Sequence, residues 1–109
     1  MTANSTITLA TAQGRFFFNP EEIIRLEASS NYTRIFFTNK TKILSAKVLK
    51  EFALMLEPFG FLRIHRTHLV NRQHIYCVTK GKVIMKDASE AEISRRMKNG
   101  IMSQLKNAA

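Results

Sequence analysis

Cysteine, aspartate and glycine are scarce in this sequence, and each scarcity removes a class of function. Cys77 is the only cysteine among 109 residues, so no disulfide can form within the chain. Its place in the apolar run Ile75-Tyr76-Cys77-Val78 predicts a small buried hydrophobe. Asp87 is the only aspartate, which excludes a phospho-acceptor site built from clustered aspartates around a metal, so no receiver domain is expected in this chain. The closely spaced acids are Glu21-Glu22 and Glu90 with Glu92, both predicted to be exposed, and they give a two-carboxylate mechanism little to work with. Glycines stand far apart at 14, 60, 81 and 100, so no glycine-rich phosphate loop is present. No apolar run approaches the roughly 18 residues that cross a bilayer, and no basic residue precedes Arg15, so nothing resembles a secretory leader. These absences predict a cytoplasmic protein with no membrane contact, no cofactor and no catalytic activity.

Acids are few and bases are many: 17 Lys and Arg against 8 Asp and Glu give a net charge of +9. The excess is uneven. Residues 1 to 30 hold Arg15 and Arg25 against Glu21, Glu22 and Glu27, so the remaining residues carry all of the positive surplus. A polyanionic partner is the natural inference, although basic residues also serve simply to keep a small domain soluble. The composition, 45% hydrophobic and 23% charged, is that of a folded soluble domain. The length suits one domain over 1–109, with a core over about 5–106.

The patterning predicts a mainly β, antiparallel fold with one or two short helices. Ile7 to Ala10 and Arg15 to Phe18 flank a polar turn and read as a hairpin. Asn19-Pro20-Glu21-Glu22 reads as a single helical turn, with Asn19 as its cap and Pro20 at the first position. Ile23 to Glu27, Tyr32 to Thr38 and Thr41 to Leu44 form a predicted meander. Between Ser45 and Pro58 the period changes: Val48, Leu49, Phe52, Met55, Leu56 and Phe59 recur at spacings of three and four, which predicts an amphipathic helix capped by Ser45 and ended by Pro58 and Gly60. Strand character returns at Phe61 to His65, Leu69-Val70, His74 to Thr79, Lys82 to Lys86 and Glu90 to Ile93. Met97, Ile101 and Leu105 then suggest a terminal helix from Ser94. In Phe61 to His65, alternation places Leu62 and Ile64 on one face and Arg63 and His65 on the other.

Three polar or basic segments fall at element ends, where a rigid scaffold can project them. Ser29 to Arg34 includes Asn31, Tyr32 and Thr33, and either a hairpin loop or a nucleic-acid contact would look this way. His65-Arg66-Thr67-His68 presents an arginine able to pair bidentately with guanine, or forms a plain basic surface. Ser94-Arg95-Arg96 carries an internal conflict: a helix beginning at Ser94 would hold two arginines in its first turn, where the macrodipole disfavours each by about 0.3 to 1 kcal/mol. A bound phosphate would resolve the conflict, and so would the absence of a helix start there. On the predicted helix Lys47 is at most a phosphate contact. His65 and His68, followed by His74 and Cys77, are the only grouping with the look of a metal site, but residues three apart on one strand point to opposite faces, so no metal is expected.

The runs I-x-R-L-E-A-S-S-N-Y-T from Ile23, F-L-R-I-H-R-T-H-L-V-N from Phe61 and I-S-R-R from Ile93 resemble the LytTR (LytR/AgrA-type) DNA-binding domains, in order and spacing, over roughly residues 5 to 106. The resemblance implies an elongated, mostly antiparallel β fold that reads promoter DNA through loops in successive major grooves. It implies contacts at Thr33 with Asn31 and Tyr32, at Arg66 with His65, and at Arg96 with Arg95 and Ser94. It further implies a transcription regulator, either the output domain of a two-component response regulator, downstream of a receiver domain or histidine kinase, or a free-standing regulator, binding direct repeats as a weak dimer on DNA. Asn71, within the second run, is expected to be a buried turn-former. The alternative left open by the residues alone is a basic β-rich module for RNA or protein, with incidental DNA affinity.

Overall fold

The computed structural model describes residues 6 to 106. Strands β1 (Ile7–Thr11) and β2 (Gly14–Phe18) form an antiparallel hairpin. The single turn Pro20–Glu22 follows. The Asn19 side chain accepts the Glu21 N–H at 3.0 Å and the Glu22 carboxylate accepts the Asn19 N–H at 2.9 Å, the reciprocal cap that its sequence allows. Next come β3 (Ile23–Ser29), β4 (Tyr32–Phe37), β5 (Lys42–Ser45), helix α1 (Leu49–Leu56), β6 (Phe61–His65) and β7 (His68–Asn71). The last described elements are β8 (Ile75–Thr79), β9 (Lys82–Met85), β10 (Glu90–Glu92) and helix α2 (Lys98–Lys106). Strands β5-β4-β3-β7-β6 make one antiparallel sheet, and β8-β9-β10 make a smaller one.

The five-stranded sheet is covered on both faces, which is why β3, β6 and β7 are apolar beyond simple alternation. On one face Leu26, Ile35, Phe37, Phe61 and Leu69 pack against Leu49, Phe52 and Leu56 of α1 and against Leu9 and Phe18 of the first hairpin. On the other, Leu62, Ile64 and Val70 pack against Val83 and Met85 of β9, against Ala91 of β10 and the adjoining Ile93, and against Ile101 of α2. Burying each such side chain contributes about 1.5 to 3 kcal/mol. Two bulges interrupt the alternation. The β3–β4 register shifts between Ile23 and Arg25, so Ile23 joins Leu26, three residues on, in one core while Ile24 enters the other. The β6–β7 register shifts between Arg63 and His65, where the extra residue is Ile64.

Several expectations need correction. Helix α1 starts at Leu49, not near Ser45, because Ser45 is still paired with Thr33 at the sheet edge. The next three residues carry the chain from the edge onto the face. Ser45 accepts the Lys47 N–H at 3.1 Å, and Val48, an exposed residue, is the helix cap without a side-chain bond. Beyond Leu56 the helix tightens into a single 3-10 turn, Glu57–Phe59, and Gly60 in the left-handed region (φ 88°) ends that turn. Helix α2 starts at Lys98 and not at Ser94, because the Ser94 N–H is held by the Ile64 carbonyl at 2.8 Å and the Ile93 N–H by the Gly81 carbonyl at 2.9 Å. Cys77 is only half-buried. The expected mainly antiparallel β fold with two short helices is the one found, with principal extents of 38 × 36 × 24 Å over the described residues. No helix among the described residues is long and apolar enough to cross a membrane.

Candidate nucleic-acid interface

Strand direction decides which turns meet. In the order β5-β4-β3-β7-β6, the β3–β4 connection at Ser30-Asn31 and the β6–β7 connection at Arg66-Thr67 lie at the same end of the sheet. The Ala28 N–H donates to the Thr67 carbonyl at 2.9 Å, joining the two turns. The Ser94–Ile64 bond then fixes Ser94-Arg95-Arg96 beside the second turn. Three segments separated by some sixty residues are thereby gathered on one rim by backbone bonds.

Asn31, Tyr32, Arg66, Arg95 and Arg96 are exposed there, while His65, Ser94 and Lys47 are partly buried. Thr33 is different. It is 0% exposed, faces inward with Ile35 and Phe37, and donates its hydroxyl to the Lys47 carbonyl at 2.8 Å. As placed, it offers no atom to a ligand and instead ties the segment carrying Lys47 to the rim. Lys47 lies 3.5 Å from Glu51 one helical turn on, an exposed pair of small energetic weight. Among the described residues, Arg66, Arg95 and Arg96 take part in no ion pair.

The arginine conflict resolves without a ligand: Arg95 and Arg96 occupy a turn ahead of α2, closed by the Met97 N–H on the Ser94 carbonyl (3.1 Å) and hydroxyl (3.3 Å). A cleft of about 420 Å³ lies between this turn and the Arg66 turn, lined by His65, Arg66, Ser94, Arg95, Arg96 and Met97. A larger one of about 970 Å³ continues toward the small sheet, past His68, Lys82, Glu92 and Lys98.

The bulge at Ile64 overturns the predicted alternation of Arg63 with His65. Arg63 pairs with Leu69, whereas His65 pairs directly with His68, their rings 5.4 Å apart. Being on two strands, the histidines share a face after all, next to Glu27 of β3. Burial pushes the His68 imidazole below its ordinary value, against the opposing pull of Glu27, and its buried Nδ1 has no partner. Among the described residues, no three His, Cys, Asp or Glu are grouped to hold a metal.

Sequence reasoning missed Arg63, whose Nη2 donates to the Arg66 carbonyl at 2.7 Å. Its only signal was a basic residue two positions before His65. Asn71 is buried as expected, its Nδ2 on the Ile23 carbonyl at 2.9 Å and its Oδ1 receiving the Gln73 N–H at 3.1 Å.

A basic rim assembled from the turns of an antiparallel sheet, on a chain of net charge +9, defines a β-type nucleic-acid-binding domain. The chain belongs to the LytTR family: the family model described as LytTr DNA-binding domain matches residues 13–106. Among solved structures it is similar to the LytTr DNA-binding domain of a protein described as a methyl-accepting/DNA response regulator from Bacillus cereus. That match has a TM-score of 0.78 and 23% identity, covering 94% of this chain and 98% of the other. No curated protein matches the chain.

Proposed function

We propose that this chain is the DNA-reading domain of a bacterial transcription regulator, recognising promoter duplexes through its three-turn rim. The observation that carries the reading is the convergence of Arg66, Arg95 and Arg96, exposed and outside any ion pair among the described residues, on turns locked together by backbone hydrogen bonds. Guanidinium groups held this way pair bidentately with guanine or phosphate, while the surrounding lysines supply salt-sensitive attraction.

Asn31, Tyr32, His65, Arg66, Ser94, Arg95 and Arg96 make the contacts in this reading, with Lys47 on a phosphate and Thr33 acting through the Lys47 segment. The turns enter successive major grooves. Two copies on a direct repeat form a weak dimer only on DNA, and a receiver domain or histidine kinase pathway sets the state. The domain is single, cytoplasmic and non-catalytic. The Bacillus cereus relative, described as part of a response regulator, supports the regulatory assignment.

Selection from random duplex DNA at near-physiological salt tests the proposal. A short enriched motif, repeated in direct orientation, is expected. No enrichment with demonstrably folded protein would overturn it, and displacement of duplex by structured RNA at equal concentration would move the assignment to RNA.

A further inference from the structure

Lys80 and Gly81, which join β8 to β9, both have positive φ (51° and 78°), the conformation that matches strand twist. Ser30 in the β3–β4 turn also has positive φ (57°). Neither residue of the Ala12-Gln13 connection or of the Arg66-Thr67 connection does, so these two turns need other support. At the first, the Thr11 hydroxyl supplies it, accepting the Gln13 N–H at 3.1 Å and donating to the Gly14 carbonyl at 3.1 Å. At the Arg66 turn two side chains share in that support. Arg63 supplies it from one face, through its bond to the Arg66 carbonyl. His65 supplies it from the other: its Nδ1 lies 3.1 Å from the Thr67 N–H and 2.8 Å from the Thr67 hydroxyl.

A backbone N–H can only donate, so Nδ1 must be an acceptor and carry no proton. The ring is therefore the neutral tautomer with its proton on Nε2. No protein group bonds Nε2 among the described residues, and the ring lines both clefts beside the arginines. Facing outward, it is a donor, complementary to guanine N7 or O6, thymine O4 or a phosphate oxygen.

The same device, a side-chain acceptor on the N–H two residues ahead, closes turns at Thr11, Asn19, Asn39, Ser45, Asn71 and Asp87. Among the described residues, only at the arginine turn is the acceptor an imidazole. We propose that His65 positions Arg66, with Nδ1 holding the reading turn and Nε2–H donating to DNA. The inference rests on the reading of this rim as a DNA surface.

The charged surroundings are distributed over every neighbouring element. His68 faces the ring from β7, with Glu27 behind it on β3. Across the larger cleft stand Glu92, Lys80 and Lys82, the last tied to Glu90 at 2.7 Å, together with Arg95 and Lys98. Asparagine at position 65 would keep the acceptor, as Asn19, Asn39 and Asn71 do.

The test compares wild type with His65→Asn and His65→Ala, on a duplex selected by the wild type at pH 7.5 and on an unselected duplex of equal length. His65→Ala should lose about tenfold in selected over unselected affinity, as expected for one lost turn-holding bond. His65→Asn, which restores the acceptor, should bind within a few-fold of wild type. A loss in His65→Asn equal to that in His65→Ala, or wild-type affinity in His65→Ala, overturns the proposal. Imidazole 15N NMR of the free wild-type protein decides the tautomer without DNA. A protonated Nδ1 at pH 7.5 overturns the positioning role even where selection succeeds, whereas failure of selection with the expected tautomer removes the DNA reading and leaves the turn lock standing.

Discussion

The Thr33 hydroxyl donates to the backbone carbonyl of Lys47 at 2.8 Å, across the edge where β4 pairs with β5. Thr33 sits opposite Ser45 in that ladder, and Ser45 in turn receives the Lys47 N–H. Both backbone groups of Lys47 are thus held by small hydroxyl side chains. A strand end becomes a fixed platform for a lysine, and the chain is directed from the sheet edge toward α1.

Replacing Thr33 with valine keeps the shape and removes the donor. The Lys47 carbonyl then loses its partner, and stability should fall by about 1 to 2 kcal/mol, read as a lower urea midpoint with unchanged slope. The selected DNA motif should stay the same, because Thr33 exposes no atom. A changed base preference would instead make Thr33 a reader.

Asn71→Ala removes two roles at once. The Ile23 carbonyl loses a buried donor and the Gln73 N–H loses its acceptor, at the junction of β3 and β7. A loss of about 2 to 4 kcal/mol is expected in denaturant unfolding. Since Asn71 lies at the far end of β7 from Arg66, DNA affinity of the folded fraction should be unchanged; a selective loss of affinity would place Asn71 in the binding path.

Most strand positions could be read from alternation, because two-residue periodicity reports which face a side chain takes. Thr33 could have been read too: with Ile35 and Phe37 two and four residues on, its parity points inward. The bulges at Ile24 and Ile64 left no mark, since both are ordinary β-branched residues whose neighbours also favour strands. That is why His65 was expected beside Arg63 and is found opposite His68 instead. The turn between the histidines was equally silent, having no glycine or asparagine at Arg66-Thr67. Helix starts failed where tertiary bonds outcompeted local capping: Ser45 was held by Thr33's strand, and Ser94 by Ile64. The three rim segments were nonetheless visible as polar element ends, whereas their joining through Ala28–Thr67 and Ser94–Ile64 depends on strand order, which no local pattern encodes.

Acid should destabilise the fold through His68. Burial lowers its folded-state value below the ordinary one, so the unfolded chain binds the proton more readily. The contribution of the neutral ring is fully present above the ordinary imidazole value of about 6.5 and is lost as pH falls below it, through the lowered folded value. Urea midpoints should drop between pH 7.5 and 5, and His68→Gln should drop less steeply. An identical slope in that variant would assign the acid loss to other groups.

Base reading and charge attraction separate by mutation. Arg66→Ala and Arg96→Ala should each cost about 1 to 3 kcal/mol on a selected duplex, and much less on an unselected one, if their guanidinium groups pair with bases. Lys47→Ala should weaken both duplexes alike and lower the salt slope by about one unit, as loss of one phosphate contact does. The Glu51 carboxylate, 3.5 Å from Lys47, gives a second handle: Glu51→Gln should strengthen both duplexes slightly by freeing the lysine. Fluorescence anisotropy over a salt series measures all four variants. Equal losses on selected and unselected DNA for Arg66→Ala would reduce that arginine to a phosphate contact and shift specificity to Arg95, Arg96 and the Asn31-Tyr32 turn.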